Sequence, residues 1–152
     1  MARLRRFLWI TDVEIDDSQP LHRRLGDTEL GRLERVTSRI IGAAIEVHRA
    51  LGPGLLEPLY ERALCIELEA REMRYLRQIP VPAYYKGHPL GQYRVDLIVE
   101  DAVVVEVKSV INMPGVLETQ VLTYLRLTGM RVGLLINFNS RLLTHGIRRF
   151  VL

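Results

Sequence analysis

Residues 93–109, YRVDLIVEDAVVVEVKS, decide how the chain folds. Two runs rich in Val, Ile and Leu flank the acidic pair Glu100-Asp101. Apolar β-branched runs around a turn predict a β-hairpin whose strands lie in a buried sheet. Three charged side chains, Asp96, Glu106 and Lys108, stand inside those runs. Burying an unpaired carboxylate is costly, so the three must neutralise one another or hold a cation. Glu106 and Lys108 are two residues apart and share one face of their strand. Asp96 joins them only in some registers. A two-residue loop at Glu100-Asp101 pairs Asp96 with Val105 and leaves it on the face opposite Glu106. A three-residue loop through Ala102, or one bulge, sets it across from Glu106.

Gathered on one face, Asp96 and Glu106 make an oxygen-rich site suited to Mg²⁺, which binds through one or two carboxylates, water and substrate phosphate. Such a cation activates water and neutralises a scissile phosphate, while Lys108 steadies the attacking hydroxide or the phosphorus. The competing reading is a buried ion pair of Lys108 with Glu106 or Asp96 and no chemistry.

Downstream, Asn112-Met113-Pro114-Gly115 breaks the chain, and a helix is predicted over 116–128 with Gly129 as its C-cap. Gln120 and Tyr124 share a face of it. Gln120 is placed to orient a water or contact a phosphate, or else simply lies on an exposed face. The run VGLLINF, residues 132–138, predicts a fully buried strand, parallel to the Lys108 strand through a right-handed crossover. GIRRFVL, residues 146–152, reads as a last strand carrying Arg148 and Arg149.

Upstream, residues 77–85 predict a strand that Pro80 and Pro82 confine to a sheet edge, followed by a turn at 86–89. A helix over 56–71 accepts Pro58 only in its first turn, which puts Glu57 at its N-terminus, as a cap or as a third carboxylate. An earlier helix begins at Leu33, faces the sheet with Val36, Ile40, Ile41, Ala44, Ile45 and Val47, and stops at Gly52-Pro53-Gly54. His48, near its C-terminal end, suits the helix dipole better than a metal. Residues 1–30, basic and then acidic without a sustained period, read as a flexible or loosely docked extension to a domain over 31–152.

A length of 152 residues fits one domain with a real core. The net charge of +3 permits a nucleic-acid partner. The aromatic content of 7% argues against a stacking platform for single strands. A single cysteine, Cys65, excludes an internal disulfide and a cysteine-rich zinc site and suits a reducing compartment. The apolar FLWI near the start is too short for a signal peptide, and no stretch approaches a membrane span. A cytoplasmic protein is expected.

Taken in order, several stretches also carry a family resemblance. Gly54 to Tyr60, GLLEPLY, reads G-x-x-E-x-x-Y, and IIGAAIEVHRALGPGLLE leads into it. YYKG at 84–87, Asp96 with Glu106-Val107-Lys108, QVLTYLRLTG, GLLINFN and GIRRFV follow. Over residues 33–152 the chain resembles the GxxExxY family of bacterial proteins, placed in the PD-(D/E)XK nuclease-like superfamily. The resemblance implies a restriction-endonuclease-like α/β core, with a mixed sheet of four to five strands flanked by helices. It also implies hydrolysis of phosphodiester bonds in nucleic acid, DNA ahead of RNA, with Mg²⁺ or Mn²⁺. On that pattern Asp96 and Glu106 are the metal carboxylates, Glu57 and the Val107 carbonyl are further ligands, and Lys108 is the catalytic lysine. Gly54 and Tyr60 are motif residues, and Gln120 with Tyr124 resembles the Q-x-x-x-Y element of related nucleases. One position departs: Leu117 stands where members often carry His, three residues before the glutamine. Two other functions compete. One is a nuclease-fold module without chemistry that binds a protein partner, or nucleic acid through Arg94, Arg126, Arg148 and Arg149. The other is an accessory subunit that dimerises.

Overall fold

The structure, a computed structural model, describes residues 28–152. Residues 1–27, most of the expected N-terminal extension, lie outside the described residues. By packing the chain divides into residues 1–32 and 33–152, and the sheet belongs to the second unit.

The apolar stripe starting at Leu33 belongs to helix α1, Glu29–Leu51, and α2 follows at Glu57–Ala70. Gly52 and Gly54 between them take φ of +64° and +109°, which the chain needs to reverse so tightly. Three strands come next: β1, Tyr75–Tyr85; β2, His88–Val99; and β3, Val103–Lys108. Helix α3, Gly115–Thr128, closes on Gly129 in the left-handed region as its C-cap, as its sequence predicts. Strand β4, Val132–Asn137, a short helix α4, Leu143–Gly146, and β5, Ile147–Val151, complete the chain.

The five strands form one sheet in sequential order, β1-β2-β3-β4-β5. Only β3 and β4 run parallel, joined by the α3 crossover; the other neighbours are antiparallel. The mixed sheet flanked by helices is the expected α/β architecture. The strand with two prolines is an edge strand, where a missing donor costs no bond on its open side. The turn between β1 and β2 is tighter than expected. Only Lys86 and Gly87, both at positive φ, make it, and His88 already pairs with Tyr85.

Two cores flank the sheet. Ile40, Ala44, Tyr60, Leu64 and Leu68 of α1 and α2 bury one face with Val103, Val105, Val107, Leu134 and Ile136. On the other face Tyr124 and Leu125 of α3 cover Val81, Val95, Ile98 and Val104. Cys65 lies in the first core, where burial pushes its thiol up, as fits a packing residue. Helix α3 sits so close to β4 that a Cβ on Gly133 would stand 2.7 Å from Val121 Cγ1. Valine is stiff and cannot swing aside. Gly133→Ala is therefore expected to destabilise the fold by about 1–3 kcal/mol, measured by urea denaturation. An unchanged midpoint would show that α3 can lift.

Candidate active site

The hairpin loop settles the register. Leu97 pairs with Val105, Ile98 with Val104 and Val99 with Val103, so the loop is the three-residue one, Glu100 to Ala102. Glu100 and Asp101 take φ of +54° and +51°, the Ala102 N–H donates to the Val99 carbonyl at 3.0 Å, and Ala102 is the extra residue. The Glu100 carboxylate accepts the Arg74 N–H at 2.6 Å and pairs with the Arg74 guanidinium at 3.2 Å, which ties the loop to the residue that leads into β1. That backbone bond, chiefly, holds Glu100 below the usual carboxylate range. In this register Asp96 falls opposite Glu106.

The ladder between β2 and β3 stops there. The Val107 N–H donates to Asp96 Oδ2 at 2.9 Å, so a side chain takes a place that a strand backbone would otherwise fill. At the same level the β1–β2 ribbon changes layers. Leu97 and Val99 face α1 and α2, whereas Val95, two residues earlier, faces α3, although regular alternation would keep them together. The reason stands opposite Asp96: Gln78, in the middle of β1, takes φ +53°. Its Nε2 donates to Asp96 Oδ1 at 3.2 Å and to Glu61 Oε2 at 2.7 Å, and Glu61 also accepts from Arg77 Nε. Gln78 and the buried Glu61 were not singled out by the sequence reading. A usable signal existed, since Glu61 lies four residues after Glu57 on the same helix face.

Glu106 is 2% exposed and sits with Val104 on the α3 side of β3. One oxygen, Oε1, accepts from Lys108 Nζ at 2.6 Å. The other, Oε2, is buried without a hydrogen-bond partner among the described residues. Burial first, and Asp96 second, push the Glu106 carboxyl up to about 7 despite Lys108. Burial also raises Asp96, against the Val107 N–H and Lys108. Lys108 lies 3.6 Å from Glu57 Oε1 as well. Burial disfavours its ammonium, but the bond to Glu106 and the charges of Glu106, Glu57 and Asp96 together hold it above its ordinary value. Tyr124 shares this environment; burial, then the Glu106 charge, raises its phenol.

The motif tyrosine has a structural task. Tyr60 is fully buried and stacks on Phe138 with centroids 4.7 Å apart. Its hydroxyl donates to the Gly52 carbonyl and accepts the Leu55 N–H at 3.1 Å. The loop carrying Gly54 is thereby pinned, and with it the start of α2, where Glu57 stands. Tyr60→Phe removes both bonds and is expected to cost about 1–2 kcal/mol in urea denaturation. A smaller loss would mean that the ring stack alone holds the loop. The far side is fixed by Asn137, the polar residue that ends the apolar β4. Its Oδ1 accepts the Val110 N–H at 3.0 Å and its Nδ2 donates to the Val110 carbonyl at 2.9 Å, just beyond Lys108. Ser109 Oγ closes the gap by donating to the Leu55 carbonyl at 2.6 Å.

Glu57, Asp96, Glu106 and Lys108 are thus brought together. Val107, between two of them, gives its N–H to Asp96 and its side chain to the core. Gln120 is turned to Tyr124, to whose hydroxyl it donates. Leu117 is half-buried in the first turn of α3. The four arginines are scattered. Arg94 and Arg126 are exposed on β2 and α3, whereas Arg148 and Arg149, adjacent on β5, point to opposite faces. Arg148 lies 3.9 Å from Glu118 and Arg149 2.6 Å from Glu34. His48 bonds the Ser140 carbonyl through Nε2 at 2.8 Å, away from any of these groups.

Among the described residues, no three or more His, Cys, Asp or Glu side chains gather closely enough to enclose a metal ion. Two carboxylates on the floor, one with an unpartnered buried oxygen, fit a Mg²⁺-like ion that keeps water and substrate as its remaining ligands. The five-stranded mixed sheet flanked by helices is that of a restriction-endonuclease-like α/β protein. The chain belongs to the PD-(D/E)XK nuclease superfamily, whose family model matches residues 34–150. No curated protein and no solved structure matches it. Members of that superfamily usually use divalent metals, and its name points to nuclease-type function. Among the described residues no helix is long and apolar enough to cross a membrane.

Proposed function

We propose that this chain is a nuclease that hydrolyses phosphodiester bonds, in DNA ahead of RNA, with Mg²⁺ or Mn²⁺ held by Asp96 and Glu106. The observation that carries the reading is the buried, unpartnered Oε2 of Glu106, which stands beside a second carboxylate and a lysine. Such an oxygen costs about 1–3 kcal/mol in a protein without a use for it. A bound divalent cation supplies charge neutralisation at the phosphate and a water acidic enough to attack. Gln78 and the Val107 N–H fix the Asp96 carboxylate with one hydrogen bond to each oxygen, and each oxygen keeps a lone pair for a cation. Lys108, only 11% exposed at its side chain, is anchored by Glu106 and flanked by Glu57. An ammonium has three donors, and one beyond those facing Glu106 and Glu57 is left to stabilise charge that grows on the phosphate oxygens. Gln120 braces the Tyr124 hydroxyl under the site.

Within the superfamily we place the chain in the GxxExxY branch, on Gly54, Glu57 and Tyr60. A cytoplasmic setting is consistent with the lone, buried Cys65. The test is incubation of the purified protein with supercoiled DNA, linear DNA and RNA, in Mg²⁺, Mn²⁺ or EDTA. Cleavage with either metal, and none in EDTA, is expected. A folded protein that cuts none of the three with either metal would overturn the proposal.

A further inference from the structure

The ribbon beyond Asp96 is chemically unlike the rest of the surface. From Met73 to Val95 the sequence has no Asp or Glu, although the chain carries 18 of them. The outer ribbon, Pro82 to Arg94, is exposed throughout except for half-buried Ala83. The chain has 6 tyrosines, and Tyr84, Tyr85 and Tyr93 are all on this arm, 62%, 61% and 43% exposed. The low aromatic content of the whole chain therefore conceals a local concentration. Arg74 and Arg77, at the base, are paired with Glu100 and Glu61. Lys86 and Arg94, on the arm itself, have no carboxylate partner among the described residues. Lys86 Nζ lies 5.5 Å from the Tyr85 ring centre.

The register sorts the rings. Val81 pairs with Tyr93, and the register shift between Ala83 and Tyr84 puts its extra residue, Leu90, on β2, so alternation along β1 keeps Tyr85, four residues beyond Val81, on the face of Tyr93. Tyr84 is on the other. The shared face runs inward to the site: the Tyr93 ring meets the edge of Tyr124, with centroids 5.8 Å apart, and the Tyr124 phenol feels the Glu106 charge. From His88 at the tip to Asp96 the strand spans about 26 Å. Exposed aromatic rings and cations on an acid-free track match an unpaired polyanion whose bases are free to stack. A duplex hides those π-faces.

We propose that the β1–β2 arm binds a single nucleic-acid strand, stacking bases on Tyr85 and Tyr93 and leading the backbone to the Asp96–Glu106 site. This deepens the nuclease reading and rests on it for what happens at the inner end; binding along the arm is separately measurable. The experiment is fluorescence anisotropy of a labelled oligothymidylate in EDTA, with the wild type, Tyr85→Ala, Tyr85→Phe and Tyr84→Ala. Both positions are exposed, so the variants fold. Tyr85→Ala is expected to weaken binding about 10-fold. Tyr85→Phe and Tyr84→Ala are expected to stay near wild type, and a blunt duplex to bind more weakly than the single strand. Three results would overturn the proposal: no single-strand binding by the wild type, equal binding by Tyr85→Ala, or a duplex preferred. Unchanged binding together with an altered sedimentation coefficient for Tyr85→Ala would overturn it in favour of an arm that joins two copies of the chain. Metal-dependent cleavage, assayed in parallel, separates the two readings. Cleavage without dependence on Tyr85 rejects the arm alone, and Tyr85-dependent binding without cleavage rejects the nuclease alone.

Discussion

Asp96→Asn is expected to lower metal-dependent cleavage by about 10³-fold while leaving the fold in place, because a cation's charge stabilisation of the transition state amounts to several kcal/mol. Asparagine keeps the size of the side chain, and its carbonyl oxygen still accepts the Val107 N–H that now reaches Asp96 at 2.9 Å, while the weaker bond from Gln78 at 3.2 Å is lost because a donor then faces a donor. What it loses is the negative charge that, with Glu106, attracts the ion. Lys108→Met is expected to reduce cleavage by about 10²–10³-fold, the usual loss for one donor aimed at developing charge. Its cost to the fold is larger than that of Asp96→Asn, because Glu106 then keeps no hydrogen-bonded cation. The check is initial cleavage rates on the best DNA substrate, with circular dichroism melts of each variant. Wild-type rates from folded Asp96→Asn would remove Asp96 from the site.

The second large effect is on stability, and its sign follows from burial. Glu106 ionises near 7 in the folded protein, against an ordinary value of 4.5, because its ionised form is buried beside Asp96. Asp96 is raised as well. The folded state therefore holds protons that the unfolded state has released. The stability associated with these groups is fully present below about pH 4.5 and is lost as pH rises towards 7. The gap for Glu106 corresponds to about 3 kcal/mol, or roughly 10 °C in melting temperature for a chain of this length. In EDTA the protein is expected to melt roughly that much lower at pH 8 than at pH 5. Adding Mg²⁺ at pH 8 is expected to recover most of the loss, since an ion that binds only the folded state stabilises it. A melting temperature that is level or rising from pH 5 to pH 8 in EDTA would contradict the burial argument.

Much of this arrangement is legible in the sequence, for reasons that can be named. Pro80 and Pro82 mark β1 as an edge strand because an amide they lack cannot serve a central ladder. The helix between Lys108 and Val132 forces a parallel crossover, and Pro58 fixes the start of α2 and hence the place of Glu57. The loop length was not legible. Glu100 and Asp101 occupy left-handed positions without being Gly or Asn, and they are held there partly by Arg74, 26 residues away in sequence. The face of Asp96 depended on that loop. Gln78 was missed for a similar reason, since nothing local marks a glutamine inside a strand as a residue at positive φ. The arginines were the weakest inference. Adjacent residues on a strand face opposite ways, so Arg148 and Arg149 could have been separated by alternation alone.

The central claim is that Asp96 and Glu106 hold a divalent cation, and isothermal calorimetry with Mg²⁺ and Mn²⁺ on wild type and on the Asp96→Ala, Glu106→Ala double variant tests it most directly. Binding by the wild type that is lost in the double variant is the expected result. A non-cleavable oligonucleotide is included in a second titration, because substrate phosphate completes the coordination of such an ion. Equal binding by wild type and double variant, or no binding by the wild type even with the oligonucleotide present, would contradict the claim and leave Lys108 and Glu106 as a buried ion pair.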